Sequence, residues 1–257
     1  MLIVSEPARV RAAIAPMHVE ARVSSPQTSQ VVAGHTVMLL EQKGDWWRVR
    51  GADKYEGWIH RGYLEKSSGD ESSWRLSTGI VVREADGREH ALPLNARVAD
   101  SVTLISGRAV SANDLATQFP STASALVASA AQFFTGASYQ WGGLTPWACD
   151  CSGMVQSVFA LHGIPLPRDA YQQALIGEPI PVANLRGESL AQLLDGDLLY
   201  FSDRDDRRVT HVGISLSGKR MLHSALGRGG VSFEDLNGAD DYVLRLRQNF
   251  VSARRVI

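Results

Sequence analysis

The sequence predicts an α+β chain in which an all-β N-terminal part precedes a mixed C-terminal part, and three observations carry that prediction. Short runs rich in β-branched and aromatic residues, separated by tight turns, fill the chain up to about Ala112. From Asn113 an alanine-rich stretch with apolar residues at helical spacing replaces them. Beyond it, a cysteine stands at the start of one predicted helix and two histidines stand on one predicted hairpin.

The first strands read VVAGHTVMLLE, WWRVR and YEGWIH, joined by turns at QKGD and GADK, and short strands with tight turns suggest a small barrel. Trp46, Trp47 and Trp58 either fill its core or form a glycan-stacking face. The polar, small-residue segment from Lys66 to Ser73 marks a linker. RLSTGIVVRE, a turn at Asp86-Gly87, REHALPL and ARVADSVTLIS then form a second small β unit. The expected domains are residues 1–66, 67–112 and 113–257.

The third domain opens with one helix over DLATQFPSTASALVASAAQFFTG, stopped at Gly136. After a loop, Asp150 is the N-cap of a helix that begins at Cys151 and carries Met154, Val155, Val158, Phe159 and Leu161 at helical spacing, with Gly163 and Pro165 as stops. A short helix at RDAYQQALIG has Asp169 as its candidate N-cap, and LLDGDLLYFS turns at Asp195-Gly196 into a strand. Thr210 to Ala225 alternates apolar and polar residues about Ser217-Gly218 and reads as an antiparallel hairpin. Short strands close the chain toward Ile257.

Composition excludes several functions. A net charge of −1 over 257 residues argues against a nucleic-acid partner. No apolar run reaches the roughly 18 residues of a membrane span. The start, MLIVSEPARVRAAIAP, lacks a basic beginning and a long apolar run, so no signal peptide and a cytoplasmic location are expected. Cys149 and Cys151 are too close in sequence for a comfortable structural disulfide, and Cys149 is read as structural.

The hairpin sets His211 opposite His223 to within a residue or two, and same-face neighbours across such a pair have Cβ atoms about 5 Å apart. A thiol at a helix N-terminus meets unpaired N–H groups and the positive end of the helix dipole, which favour its thiolate. A cysteine, a histidine and a second polar residue make the constellation of cysteine-dependent acyl transfer, with no metal or cofactor. A rival set uses Cys149, Cys151, His211 and His223 as ligands of a structural zinc.

Tyr139-x-Trp141-Gly142-Gly143, then Asp150-Cys151-Ser152-Gly153, then His211 with Gly213 and His223 with Ser224 resemble the NlpC/p60 cysteine peptidases, which are papain-like enzymes of bacterial murein. The resemblance covers residues 120 to 257, and GDWWRVR with YEGWIHRGYL is similar to the bacterial SH3-like domains that precede the peptidase in one branch. It implies an NlpC-type domain behind one or two SH3-like barrels, and hydrolysis of the γ-D-glutamyl-diamino acid bond of murein peptides with a free N-terminal L-alanine, in peptide recycling. The catalytic set it implies is Cys151, His211 and His223, with Tyr139 and the Cys151 N–H as oxyanion donors. Substrate contacts are implied for Tyr55, Glu20, Trp141, Asp150, Ser152 and Asp169, with Tyr55, Glu20 and Asp169 meeting the substrate ammonium. The branch often has serine after that aspartate to hold the D-glutamate carboxylate, where this chain has Ala170. An acyltransferase or transpeptidase and a non-catalytic murein-binding protein are the alternatives.

Overall fold

The computed structural model describes residues 6–67, 73–217 and 219–257, so most of the expected linker and Gly218 of the expected hairpin turn lie outside the described residues. The chain forms two compact units: residues up to Gln118 together with Trp141–Thr145, and Phe119–Gln140 together with Pro146–Ile257.

The first unit is all-β apart from short helical turns before its end. Its larger sheet has the strand order Gln27–Val32, Ile14–His18, Glu56–His60, Trp46–Arg50, Thr36–Lys43, Glu6–Val10, Leu64–Lys66. Period-two alternation turns Ala8, Val10, Ala15, Met17, Val37, Val49 and Ile59 inward, and Trp47, Tyr55 and Tyr63 pack against that core. Trp47 is thus partly buried against that core, while Trp46 stands edge-on between His18 and His60, each at 5.4 Å between ring centres.

The second β segment is a three-stranded antiparallel sheet, ordered Thr103–Ser111, Trp74–Arg83, Glu89–Ala99. Ile80, Val82, Leu92, Ala96 and Val98 from it share a core with Val32 and Ala33 of the larger sheet. The two backbones meet at Gly34, where a Cβ would lie 2.1 Å from the Arg97 carbonyl oxygen at φ +79°. Only glycine fits there.

In the second unit one antiparallel run of strands is ordered Ser138–Tyr139, Gly230–Asp235, Arg220–Ala225, His211–Leu216, Leu198–Phe201, Phe250–Arg255, Glu178–Ile180, and Ala148–Cys149 joins Ser138–Tyr139 in parallel. The expected opening helix is two pieces, α1 (Leu115–Gln118), which ends the first unit, and α2 (Ala123–Phe134) in the second. Pro120 between them cannot continue a helix, and Thr122 caps the second piece on the Ala125 N–H. Helix α3 (Cys151–Leu161) is buried on nearly every side, with Met154, Val155, Val158 and Phe159 fully so. It packs on α2 and on the hairpin strands His211–Leu216 and Arg220–Ala225, which fixes its first residue against the sheet.

Helix α4 (Ala170–Gln173) follows Asp169, whose side chain makes no capping bond, contrary to expectation. The chain end holds a helix, α5 (Asp241–Asn249), before its last strand Phe250–Arg255, where strands alone were expected. Asp240 caps it through the N–H groups of Tyr242 and Val243. No helix is long and apolar enough to cross a membrane among the described residues.

Replacing Gly34 by alanine should cost about 2 kcal/mol or more of unfolding free energy in urea, through the Arg97 clash and the positive φ together. Gly44→Ala, at φ +58° with open space around it, should lose about 1 kcal/mol from the left-handed backbone alone. Equal losses in tryptophan-monitored unfolding would show that the Gly34 contact does not constrain the two sheets.

Candidate active site

The first turn of α3 and the first strand of the hairpin bring Cys151 and His211 into one place. Cys151 opens the helix, and Asp150 caps it with its Oδ1 accepting from the Gly153 N–H at 2.7 Å. The Cys151 sulfur meets the backbone N–H of Val212, the residue after His211, and the N–H of Ser152. The hairpin pairs Ile214 with Leu222 and Leu216 with Arg220, so His223 falls opposite Gly213, two residues from His211 and on its face. That is the offset the sequence allowed.

His211 Nε2 and His223 Nδ1 are 2.8 Å apart, with ring centres at 5.0 Å and nearly perpendicular planes. Phe201 packs on the other side of His211 at 5.8 Å. Because Nε2 is occupied by His223, the His211 nitrogen left to exchange a proton with the sulfur is Nδ1. His223 is fully buried and lies 5.9 Å from the Tyr242 ring on α5.

Burial acts against the expected thiolate. Burial, with a smaller push from the Asp150 carboxylate, raises the Cys151 thiol to about 12, and the lowering hydrogen bonds from Val212 and Ser152 do not offset it. Burial, and next the neighbouring His223, lower His211 to about 3. Both shifts run toward the uncharged forms of the thiol and the imidazole. Tyr139 is half-buried within electrostatic reach of Cys151, and burial raises its phenol above the usual range, so it keeps the proton an oxyanion donor needs.

The side chains of Asp150 and Ser152, both expected substrate contacts, are turned toward a buried arginine. Both are buried, at 5 and 6 % exposure, around the Arg168 guanidinium, itself 1 % exposed. Arg168 Nη2 donates to Asp150 Oδ2 at 2.7 Å, and Nη1 donates to Ser152 Oγ at 2.9 Å. The Ser152 hydroxyl spends its one hydrogen on Asp150 Oδ1 at 3.3 Å. Sequence reasoning missed Arg168: a buried cation is legible only through its carboxylate, and Asp150 was accounted for as a cap.

Asp169 is half-buried beside Arg168, Tyr171 and Arg208, and burial raises its carboxyl despite those neighbours. Cys149 is a buried free thiol whose carbonyl accepts from Ser224 Oγ at 2.7 Å, the structural role expected. Among the described residues no group of three or more His, Cys, Asp or Glu stands in a metal-holding arrangement, so the four zinc candidates do not converge.

Tyr55, Glu20 and Trp141 belong to the first unit. His18 pairs with Trp58 in antiparallel strands, which carries the Glu20 turn and Tyr55 to one end of that sheet. Glu20 is exposed and ion-paired with Arg22 at 2.8 Å. Trp141 is exposed, and its carbonyl accepts from Gln27 Nε2 at 3.0 Å. A further residue the sequence did not single out is Glu234, whose Oε1 lies 3.3 Å from His223 Nε2. Alternation in VSFED places it on the face of Ser232, which pairs with His223, but no local pattern pairs it with a histidine.

Two measurements check these assignments. Thiolate absorbance of the wild type, read against Cys151→Ala, should be absent near neutral pH, and iodoacetamide labelling of Cys151 should accelerate from about pH 6 to about pH 9, because a raised thiol stays protonated as pH climbs. A labelling plateau already reached at about pH 6 would show a preformed ion pair. Arg168→Leu strands the Asp150 carboxylate in the interior and should cost about 3–5 kcal/mol in thermal or urea unfolding, whereas a cost below about 1 kcal/mol would mean the pair is not desolvated.

Comparison with known proteins agrees with this geometry. Residues 136–247 match the NlpC/P60 family, and residues 15–65 match the bacterial SH3 domain. The chain is 28 % identical over 220 residues to a gamma-D-glutamyl-L-lysine dipeptidyl-peptidase of Bacillus subtilis, covering 76 % of this chain and 71 % of that protein. It is 30 % identical to the probable endopeptidase NlpC of Escherichia coli, across 65 % of this chain and 87 % of the relative. A crystal structure of an NlpC/P60 family protein from Bacillus cereus superposes with a TM-score of 0.79 at 20 % identity, covering 98 % of this chain and 99 % of the other. With the NlpC/P60 match over the cysteine helix and the histidine hairpin, and the bacterial SH3 match ahead of it, the chain belongs to the NlpC/P60 peptidase family.

Proposed function

We propose that the chain hydrolyses the γ-D-glutamyl-diamino acid bond of murein peptides whose L-alanine has a free amino end, through a thioester on Cys151. The observation that carries the hydrolase reading is the 2.8 Å contact of His211 with His223, which leaves His211 Nδ1 for the thiol at the start of α3. The γ-glutamyl specificity is supported by the printed activity of the Bacillus relatives, two of which are named gamma-D-glutamyl-L-lysine dipeptidyl-peptidases. Their similarity runs across 76 and 89 % of this chain, so it includes residues of the SH3-like region as well as the peptidase.

In this mechanism the Cys151 sulfur attacks the γ-carbonyl carbon while His211 Nδ1 takes the thiol proton. The tetrahedral oxyanion is met by the Cys151 N–H and the Tyr139 hydroxyl, each such donor being worth about 3 kcal/mol of barrier. Collapse breaks the C–N bond, and the leaving amine takes the proton from His211. Water then adds to the thioester with His211 again as base, which releases the acid and restores the thiol. Because burial opposes charge on both partners, the proton moves only as charge develops on the substrate oxygen.

Asp169 is the carboxylate of this unit that suits a substrate ammonium. It is half-buried and committed to no helix cap, so an ammonium beside it would be paired rather than left bare. Cleavage then depends on the free amine, and small peptides already released from the glycan are the substrates. A recycling role inside the cell follows from that preference.

Mass spectrometry of products from L-Ala-γ-D-Glu-L-Lys, its diaminopimelate counterpart and the N-acetyl form of each tests the proposal. Release of L-Ala-γ-D-Glu from the free-amine peptides, lost in Cys151→Ala and reduced by two or more orders of magnitude on acetylation, is the expected result. Equal rates for free and acetylated peptides would remove the ammonium contact. Acyl transfer to an added amine in place of water would make the chain a transpeptidase, and no turnover of any peptide would leave a murein-binding module.

A further inference from the structure

Behind the histidine pair the structure holds a carboxylate that neither strand pattern nor family match assigns. Glu234 is 4 % exposed, and its Oε1 faces His223 Nε2 at 3.3 Å. The same oxygen accepts from Ser232 Oγ at 2.9 Å and from Arg228 Nε at 2.8 Å, while Oε2 accepts from Arg228 Nη2 at 2.8 Å. Arg228 is steadied in turn by Asp240 at 3.2 Å and by the Tyr242 ring, whose centre is 4.4 Å from the guanidinium carbon. The carboxylate is therefore clamped on both oxygens.

Its ionisation state follows from these partners. Burial alone would raise the Glu234 carboxyl, but hydrogen bonds from His223, Arg228 and Ser232 outweigh it and hold the group at about 2. An ionised carboxylate offers acceptors only. A hydrogen bond to it therefore needs the hydrogen of His223 on Nε2. A neutral imidazole with its hydrogen there has its lone pair on Nδ1, the atom that faces His211 Nε2. His211 must then donate from Nε2, which leaves the lone pair of its own ring on Nδ1, the nitrogen free to receive the thiol proton.

We propose that Glu234, clamped by Arg228 and Ser232, is a positioning residue that sets the direction of the hydrogen-bond chain through His223 and keeps His211 in the tautomer able to deprotonate Cys151. When His211 takes that proton, the imidazolium donates to His223 more strongly, and the carboxylate two rings away offsets the charge formed. A buried carboxylate here supplies the negative charge that a second neutral imidazole lacks. The inference rests on Cys151 and His211 being the reacting pair, as in the function proposed above.

Nitrogen-15 NMR of histidine-labelled protein reads the tautomers without any turnover. The wild type should show His211 and His223 both protonated on Nε2 and bare on Nδ1 at neutral pH. Glu234→Ala removes the acceptor and should let His223 populate the opposite tautomer. Its kcat on the free-amine tripeptide should fall about 10- to 100-fold, the scale seen when the group orienting a functional histidine is lost, with KM unchanged. Glu234→Gln keeps an acceptor oxygen without the charge and should lose less than Glu234→Ala. Melting temperatures identify variants that have merely loosened.

A wild-type His223 protonated on Nδ1 overturns the proposal whether or not either variant folds. So does a folded Glu234→Ala variant with wild-type kcat, or one whose activity loss lies in KM with both tautomers unchanged. Failure of the wild type to cleave any peptide would count against the proposed function, while the tautomer assignment would still decide the role of Glu234.

Discussion

Everything at the candidate site depends on a register. His211 and His223 reach one another because the hairpin pairs Ile214 with Leu222 and Leu216 with Arg220, which keeps both rings on the face that α3 covers. A slip of one residue would send one of them to the other side of the sheet and leave the sulfur without its base. The register is held from both sides: Leu198–Phe201 pairs with the first strand of the hairpin, and Gly230–Asp235 with the second. Interior strands with neighbours on both edges cannot slide without breaking two ladders. The spacing of the two rings is thus protected by backbone hydrogen bonds rather than by the histidines themselves.

The helix side of the site is fixed by a different force. The start of α3 is buried, and its capping carboxylate is buried with it, so Asp150 carries charge where water cannot reach. Arg168 answers it from the loop before α4 through two near-parallel hydrogen bonds. Such a pair contributes little net stability, since both ions must be desolvated, but removing either partner strands the other. The pair therefore acts more as a constraint than as a source of stability. It locks the cap, and with it the direction in which the Cys151 side chain leaves the helix.

What the sequence disclosed and what it hid divide along locality. The cysteine helix was legible because a cap, an apolar stripe and a glycine stop lie within fifteen residues, and the hairpin because strict alternation turns about one short loop. The break at Pro120 was legible in principle, but the surrounding alanine carried the reading over it. Helix α5 was missed because DYVLRLRQN buries only Val243 and Leu246, too few apolar positions to outweigh its charged face. Arg168 and Glu234 were out of reach for a stronger reason: each matters through a partner 18 or 11 residues away, and their roles exist only once the chain has folded. The inward turn of Ser152 belongs to the same class, because it depends on Arg168, 16 residues away.

The charge state of the sulfur shows why local rules mislead at such a site. A helix N-terminus and two backbone N–H groups do favour a thiolate. Enclosing the same sulfur beneath the hairpin removes water from it, and the adjoining Asp150 opposes a second negative charge. His211, enclosed in the same way, resists becoming positive. Burial thus opposes charge on both members of the pair, against the pull of the helix N-terminus. Arg168 and Glu234 act at opposite ends of that pair, one restraining the negative charge of the cap and the other offsetting the positive charge that His211 takes on.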